Sequence, residues 1–275
     1  MSTGRVLLLG GIAGMTILLG LPAGRLRNPA PRLRALLNAI AIGILVFLLF
    51  DVLSHANEPV EKALTDATNG DGTWWRFAGL AAVLAAGVGI GLIGLVYYDQ
   101  HMNRRRPSVP LAHDAEATGM AAWSPGRRLA VLIAVGIGLH NFSEGLAIGQ
   151  SAARGDVSLA LLLIIGFGLH NATEGFGIVA PFAIEGERPS WRFLGVMGLI
   201  GGGPTFFGTL LGRSFVNDTL YLSFLALAGG SILYVVFQLI KVAGRQGQPE
   251  TIMWGIFIGL AAGFATDYVL VAAGA

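Results

Sequence analysis

Two stretches thirty residues apart hold the side chains best suited to chemistry: Gly136 to Ile148 reads GIGLHNFSEGLAI, and Gly166 to Ile178 reads GFGLHNATEGFGI. Each carries His, Asn and Glu at the same spacing, as His140, Asn141 and Glu144 and again as His170, Asn171 and Glu174. On a helix, residues four apart share a face, so each stretch presents an imidazole and a carboxylate together, with the Asn rotated by about 100°. Two imidazoles and two carboxylates form a donor set for Zn²⁺, Fe²⁺, Mn²⁺ or Co²⁺, and the asparagines add neutral oxygens. Glu and His one turn apart also build metal sites in the cores of helix bundles. A proton relay and a purely structural polar network use the same residue types, and spacing alone leaves both open.

The surroundings of these residues raise the stakes. The 275-residue chain is 54% hydrophobic and only 12% charged, against about 25% charged for a soluble domain. That composition is of a membrane protein. The absence of Cys excludes disulfides, thiolate metal sites and cysteine nucleophiles. A net charge of +2 points to no nucleic acid.

Apolar runs long enough to cross a ~30 Å hydrocarbon core as helix occur eight times, near 4–23, 34–54, 75–98, 127–149, 158–182, 191–212, 218–240 and 251–272. The fold class expected is an all-α polytopic membrane protein, a single transmembrane domain over 1–275. The first run has the length of a signal peptide, but arginine directly follows its only small-residue site, so it reads as a retained helix. The connectors are short except 99–126, which is polar and contains proline. Arg and Lys concentrate in the connectors after the odd-numbered spans, including Arg104, Arg105 and Arg106, which puts those connectors in the cytoplasm and both termini outside. Trp74, Trp75, Tyr97, Tyr98, Trp191 and Trp254 fall near span ends and read as interfacial anchors.

At roughly 1.5 Å per residue, His140 and His170 both lie some 15 to 18 Å from the outer surface, near the midplane. The short turn around Ala152 to Asp156 makes spans four and five an antiparallel pair, so the two triplets can face each other. Glycines at 136, 138, 145, 149, 166, 168, 175 and 177 permit close helix approach. Two carboxylates at one depth in hydrocarbon require protons or a cation, and a divalent metal meets that need.

At these residues the chain resembles the ZIP (Zrt-, Irt-like protein) family of divalent-metal transporters. HNFSEG and HNATEG stand where that family carries HNxPEG-type motifs, and AGGSILYVV, Ala228 to Val236, is similar to its seventh-helix pattern. The resemblance implies transport of zinc, with iron, manganese, cobalt or cadmium also accepted, across the plasma membrane toward the cytoplasm. It implies a main site at His140, Glu144, His170 and Glu174, and an adjoining second site with Asn141 and Asn171, bridged by the glutamates. It further implies a dimer, and movement of helices one, four, five and six against the rest.

Several positions depart from the family pattern. Ser143 and Thr173 replace the motif prolines, so softer kinks are expected, with the hydroxyls able to bond back to the preceding turn. In GLIGGGPTFFGTLLG, Gly198 to Gly212, Thr205 and Phe206 occupy the Glu-Pro positions, which removes a carboxylate from the second site, while Pro204 brings a kink of its own. Phe237 and Gln238 stand where some relatives carry His-Glu, and the 99–126 loop holds only His101 and His113. These departures favour one principal metal.

Asp51 and Asp267, near the outer ends of spans two and eight, are expected to form an entrance, with His55 assisting; acidic residues in 54–74 would raise the local cation concentration. A non-transporting metal sensor is the nearest alternative function. An intramembrane metal hydrolase would need a water-activating base and an open metal position, and neither HExxH nor a Ser-His-Asp grouping is present, so the chain is not expected to be an enzyme.

Overall fold

A computed structural model describes residues 2–26, 31–104, 123–153, 157–214 and 217–272. The described residues form eight α-helices: α1 (Thr3–Met15), α2 (Pro31–Asn69), α3 (Trp74–Arg104), α4 (Pro125–Ala153), α5 (Val157–Glu185), α6 (Trp191–Ser214), α7 (Asp218–Gly244) and α8 (Pro249–Ala272). Seven helical stretches have the length and apolarity to cross a membrane. The chain is an all-α polytopic membrane protein.

Two elements differ from the hydropathy reading. The first span is not one helix: α1 stops at Met15 and continues as 3-10 turns over Thr16–Leu19 and Leu21–Arg25. Thr16 Oγ1 donates to Ala13 O at 2.7 Å and to Gly168 O on α5, Gly20 packs on Gly175, and Pro22 lacks a backbone donor. The second helix does not end at 54 but runs to Asn69, absorbing most of the segment expected to be a connector. Apolarity ends where the bilayer ends, whereas a helix ends where its hydrogen bonding fails. Beyond Ser54, Asn57 donates to Glu61 one turn on, Thr65 bonds back to the Glu61 carbonyl, and the helix closes at Gly70 with φ of 85°. The remaining helices match the expected spans to within a turn or two. The turn expected at Ala152 to Asp156 and the arginines Arg105 and Arg106 fall wholly or partly outside the described residues, as does His113; His101 is exposed on α3.

Packing divides the helices into two groups. In one, α4 packs on α6 and α5, and α1 on α6 and α5; in the other, α2 packs on α8 and α7, and α3 on α7; between the groups α4 also packs on α7 and α2 on α5. Glycine makes the tight seams. A Cβ at Gly14 would collide with Gly202 O, and one at Gly43 with Ile256 O. Among the described residues, wherever an added Cβ would come within 3.0 Å of a different helix, both helices belong to the same group. Across the boundary, Gly136 would meet Ser231 Cβ at 3.5 Å and Gly177 would meet Leu45 Cδ1 at 3.8 Å, ordinary van der Waals separations. The boundary is filled instead by aliphatic side chains, among them Leu45, Ile133, Ile178 and Ile232, which belong to one buried cluster. Of the seven candidate spans, α4 is the most buried and α3 the least.

Candidate metal centre

α4 carries the first triplet to the middle of the molecule. His140 is 3% exposed, Glu144 5% and Asn141 fully buried. α4 stays α-helical through the motif, and Ser143 Oγ donates weakly to Leu139 O at 3.4 Å, the back-bond expected where a proline is missing. α5 brings in Asn171, fully buried, and Glu174, 1% exposed. His170 lies on α5, but its side chain is outside the described residues.

The triplets converge. His140 Nε2 stands 3.2 Å from Glu144 Oε1 and 4.0 Å from Glu174 Oε1, so one imidazole addresses carboxylates from both helices. In this arrangement His140 and Glu144 are bonded to each other. Among the described residues no three His, Asp or Glu side chains form a ready-made shell around one point, and an ion would have to replace the His140–Glu144 contact.

The asparagines present nitrogen to this cluster. Asn141 Nδ2 donates to Glu174 Oε2 at 3.2 Å and to Gly201 O on α6 at 3.0 Å. Asn171 Nδ2 donates to Ala13 O on α1 at 3.1 Å, and Asn171 also hydrogen-bonds Glu144. Thr205, the residue that the resemblance sets where a Glu is expected, is fully buried on α6. Its carbonyl accepts from Thr209 Oγ1 at 2.8 Å, and the Thr205–Thr209 turn lies directly against Gly145. Pro204 sits within α6 and removes one backbone donor there.

Asp51 and Asp267 lie on α2 and α8, in the other helix group. Asp51 is within electrostatic reach of Asp267, of Glu58 and of His140 itself. His55 Nδ1 sits 2.9 Å from the Asp51 carbonyl and 3.4 Å from Asp51 Oδ1. Sequence reasoning missed Tyr221. It lies in the first turns of α7, partly buried, within reach of Glu58, Asp51 and Glu144, and so stands between the α2 acids and the central cluster. Its place one helical turn after the start of α7 was the available signal.

Residues 99–241, just over half of the chain, match the family described as ZIP Zinc transporter. The chain belongs to the ZIP zinc transporter family. Comparison with curated proteins finds no match to the chain. The matched region runs from the end of α3 through α7 and includes both triplets and Thr205. As a ZIP protein it is a membrane transporter of divalent metal ions and not an enzyme, which sets aside the hydrolase reading. The converging motifs on α4 and α5 lie inside the stretch that defines the membership.

Proposed function

We propose that this protein carries Zn²⁺ across the plasma membrane toward the cytoplasm, through a centre built by His140, Glu144, His170 and Glu174. Fe²⁺, Mn²⁺, Co²⁺ and Cd²⁺ compete as cargo. The observation that carries the reading is that the buried His140 imidazole stands within 4.0 Å of buried carboxylates from two helices, Glu144 and Glu174. Two ionised carboxylates in hydrocarbon are costly, and one divalent ion neutralises both. The imidazoles add borderline donors suited to zinc, and their ligation requires them to be neutral.

The ion enters from the extracytoplasmic side past Asp267 and Asp51, passes Tyr221, sheds water and is taken by the central set. The excess of Arg and Lys in the connectors after odd-numbered helices supports both termini outside and the 99–126 loop inside. Release follows a displacement of α1, α4, α5 and α6 relative to α2, α3, α7 and α8. The packing supports that division, since interlocked glycine seams hold each group together, while among the described residues the boundary between them has none. The weakly buried α3 offers a surface for a second copy in a homodimer.

The test is metal flux in proteoliposomes for a panel of Zn²⁺, Fe²⁺, Mn²⁺, Co²⁺ and Cd²⁺, with the wild type beside His170→Ala. Inward flux greatest for Zn²⁺ and sharply reduced in His170→Ala is expected. Unchanged flux in a correctly inserted His170→Ala protein overturns the assignment of the centre.

A further inference from the structure

The orientation of the two asparagines carries a conclusion about how many ions the centre holds. We propose that Asn141 and Asn171 are positioning residues whose amide N–H groups fix the glutamates of the opposite helix and stand in for a second cation, so that each chain binds one metal ion. The inference rests on the reading above that the His and Glu set takes a divalent ion.

Asn141 Nδ2 lies between two oxygens, Glu174 Oε2 and Gly201 O, neither of which has a proton to donate when the glutamate is ionised. Turning the amide over would set its oxygen against both. The backbone carbonyl therefore decides which end of the amide faces the glutamate. Glu174 is divided as a result: Oε1 faces His140, and Oε2 takes the amide proton. A carboxylate that bridges two ions through its two oxygens would have to share or give up this amide bond on Oε2.

Asn171 repeats the device from the other helix. Its Nδ2 is held by Ala13 O on α1, and it hydrogen-bonds Glu144 on α4. The pairing is crossed, with the α4 amide on the α5 carboxylate and the α5 amide on the α4 carboxylate. An N–H donor to an ionised carboxylate is a strong, charge-assisted bond that adds no full charge to the site. Thr205 completes the case. It is buried and neutral, so a second divalent ion would arrive with no further carboxylate from α6 to balance it.

Counting bound metal in the purified, detergent-solubilised chain titrated with Zn²⁺ tests this. One Zn²⁺ per chain is expected. Two per wild-type chain overturns the inference while leaving the transport centre standing, and none overturns the assignment of the centre itself. Two variants then separate positioning from mere packing. Asn141→Leu keeps the size but not the donor, and is expected to retain one ion with affinity lowered about 10- to 100-fold, the usual effect of losing a partner that orients a ligand. With Co²⁺ in place of Zn²⁺, the same variant is expected to change the visible absorption spectrum, because an untethered Glu174 changes how it binds. Asn141→Asp keeps an acceptor, loses the donor and adds a charge, and is expected to admit a second ion. If Asn141→Leu leaves both affinity and spectrum as in the wild type, or Asn141→Asp binds one ion with wild-type affinity, donation by Asn141 has no role and the proposal falls.

Discussion

Replacing Glu174 with Gln removes one charge from the centre and almost nothing else. Glu174 is 1% exposed, and its Oε2 accepts from Asn141 at 3.2 Å. A glutamine carbonyl in that position still accepts the same bond, so the tether to α4 and α6 survives. The altered end faces His140, 4.0 Å from Oε1 in the native protein. With Zn²⁺ bound, Glu144 alone then balances a double charge, and one unit stays uncompensated in a site closed to water. Breaking a buried charge pairing costs about 3–5 kcal/mol. At about 1.4 kcal/mol per tenfold, Zn²⁺ affinity should fall by roughly two to three and a half orders of magnitude. Calorimetric titration in detergent measures the affinity directly, and flux in proteoliposomes should show the same loss. A correctly folded Glu174→Gln protein whose affinity falls by less than about threefold, ~0.7 kcal/mol, refutes the view that this carboxylate neutralises the ion.

Other perturbations probe the entrance, the helix seams and proton competition. If Asp51 serves the proposed entrance, Asp51→Asn should raise the KM for metal several-fold with little change in maximal flux, and the difference should shrink as salt is added, since a carboxylate there would act by long-range attraction of cations. Gly145→Leu would drive a side chain into the Thr205 carbonyl and the Thr209 amide; overpacking by about 1–3 kcal/mol should lower the thermal transition and cut flux. Gly136→Ala, whose added methyl meets Ser231 at 3.5 Å, should fold and insert as the wild type does, as thermal scans of the two variants side by side would reveal. Because ligation needs neutral imidazoles and ionised carboxylates, Zn²⁺ affinity should fall as the medium is taken from about pH 7.5 to about 5.5, with protons released on binding, and a flat profile would count against the His and Glu ligands.

Much of this architecture is written in local pattern. Hydropathy located the spans because bilayer thickness fixes helix length. It misjudged α2, since Asn57, Glu61 and Thr65 continue a helix in water as readily as aliphatic residues do in lipid, and nothing apolar marks that extension. It also missed the break after Met15, which depends on Thr16 reaching Gly168 on a helix far along the chain. The doubled His and Glu were legible for the same reason as the spans: their four-residue spacing places them on one helical face, and the structure brings His140, Glu144 and Glu174 together.

What spacing could not supply is the direction in which each amide points. Asparagine offers an oxygen and a nitrogen of nearly the same shape, and composition favours neither as the partner of a metal centre. The choice falls to acceptors that lie far off in sequence, Gly201 O for Asn141 and Ala13 O for Asn171. Those carbonyls belong to α6 and α1: the seam at Gly145 locks α6 to α4, the seam at Gly14 locks α1 to α6, and Gly175 packs α5 on the 3-10 turn that follows α1. The same packing that holds these four helices together therefore sets the polarity of the site they enclose. A substitution that loosens a seam, such as Gly145→Leu, should accordingly weaken metal binding even though no ligand is touched.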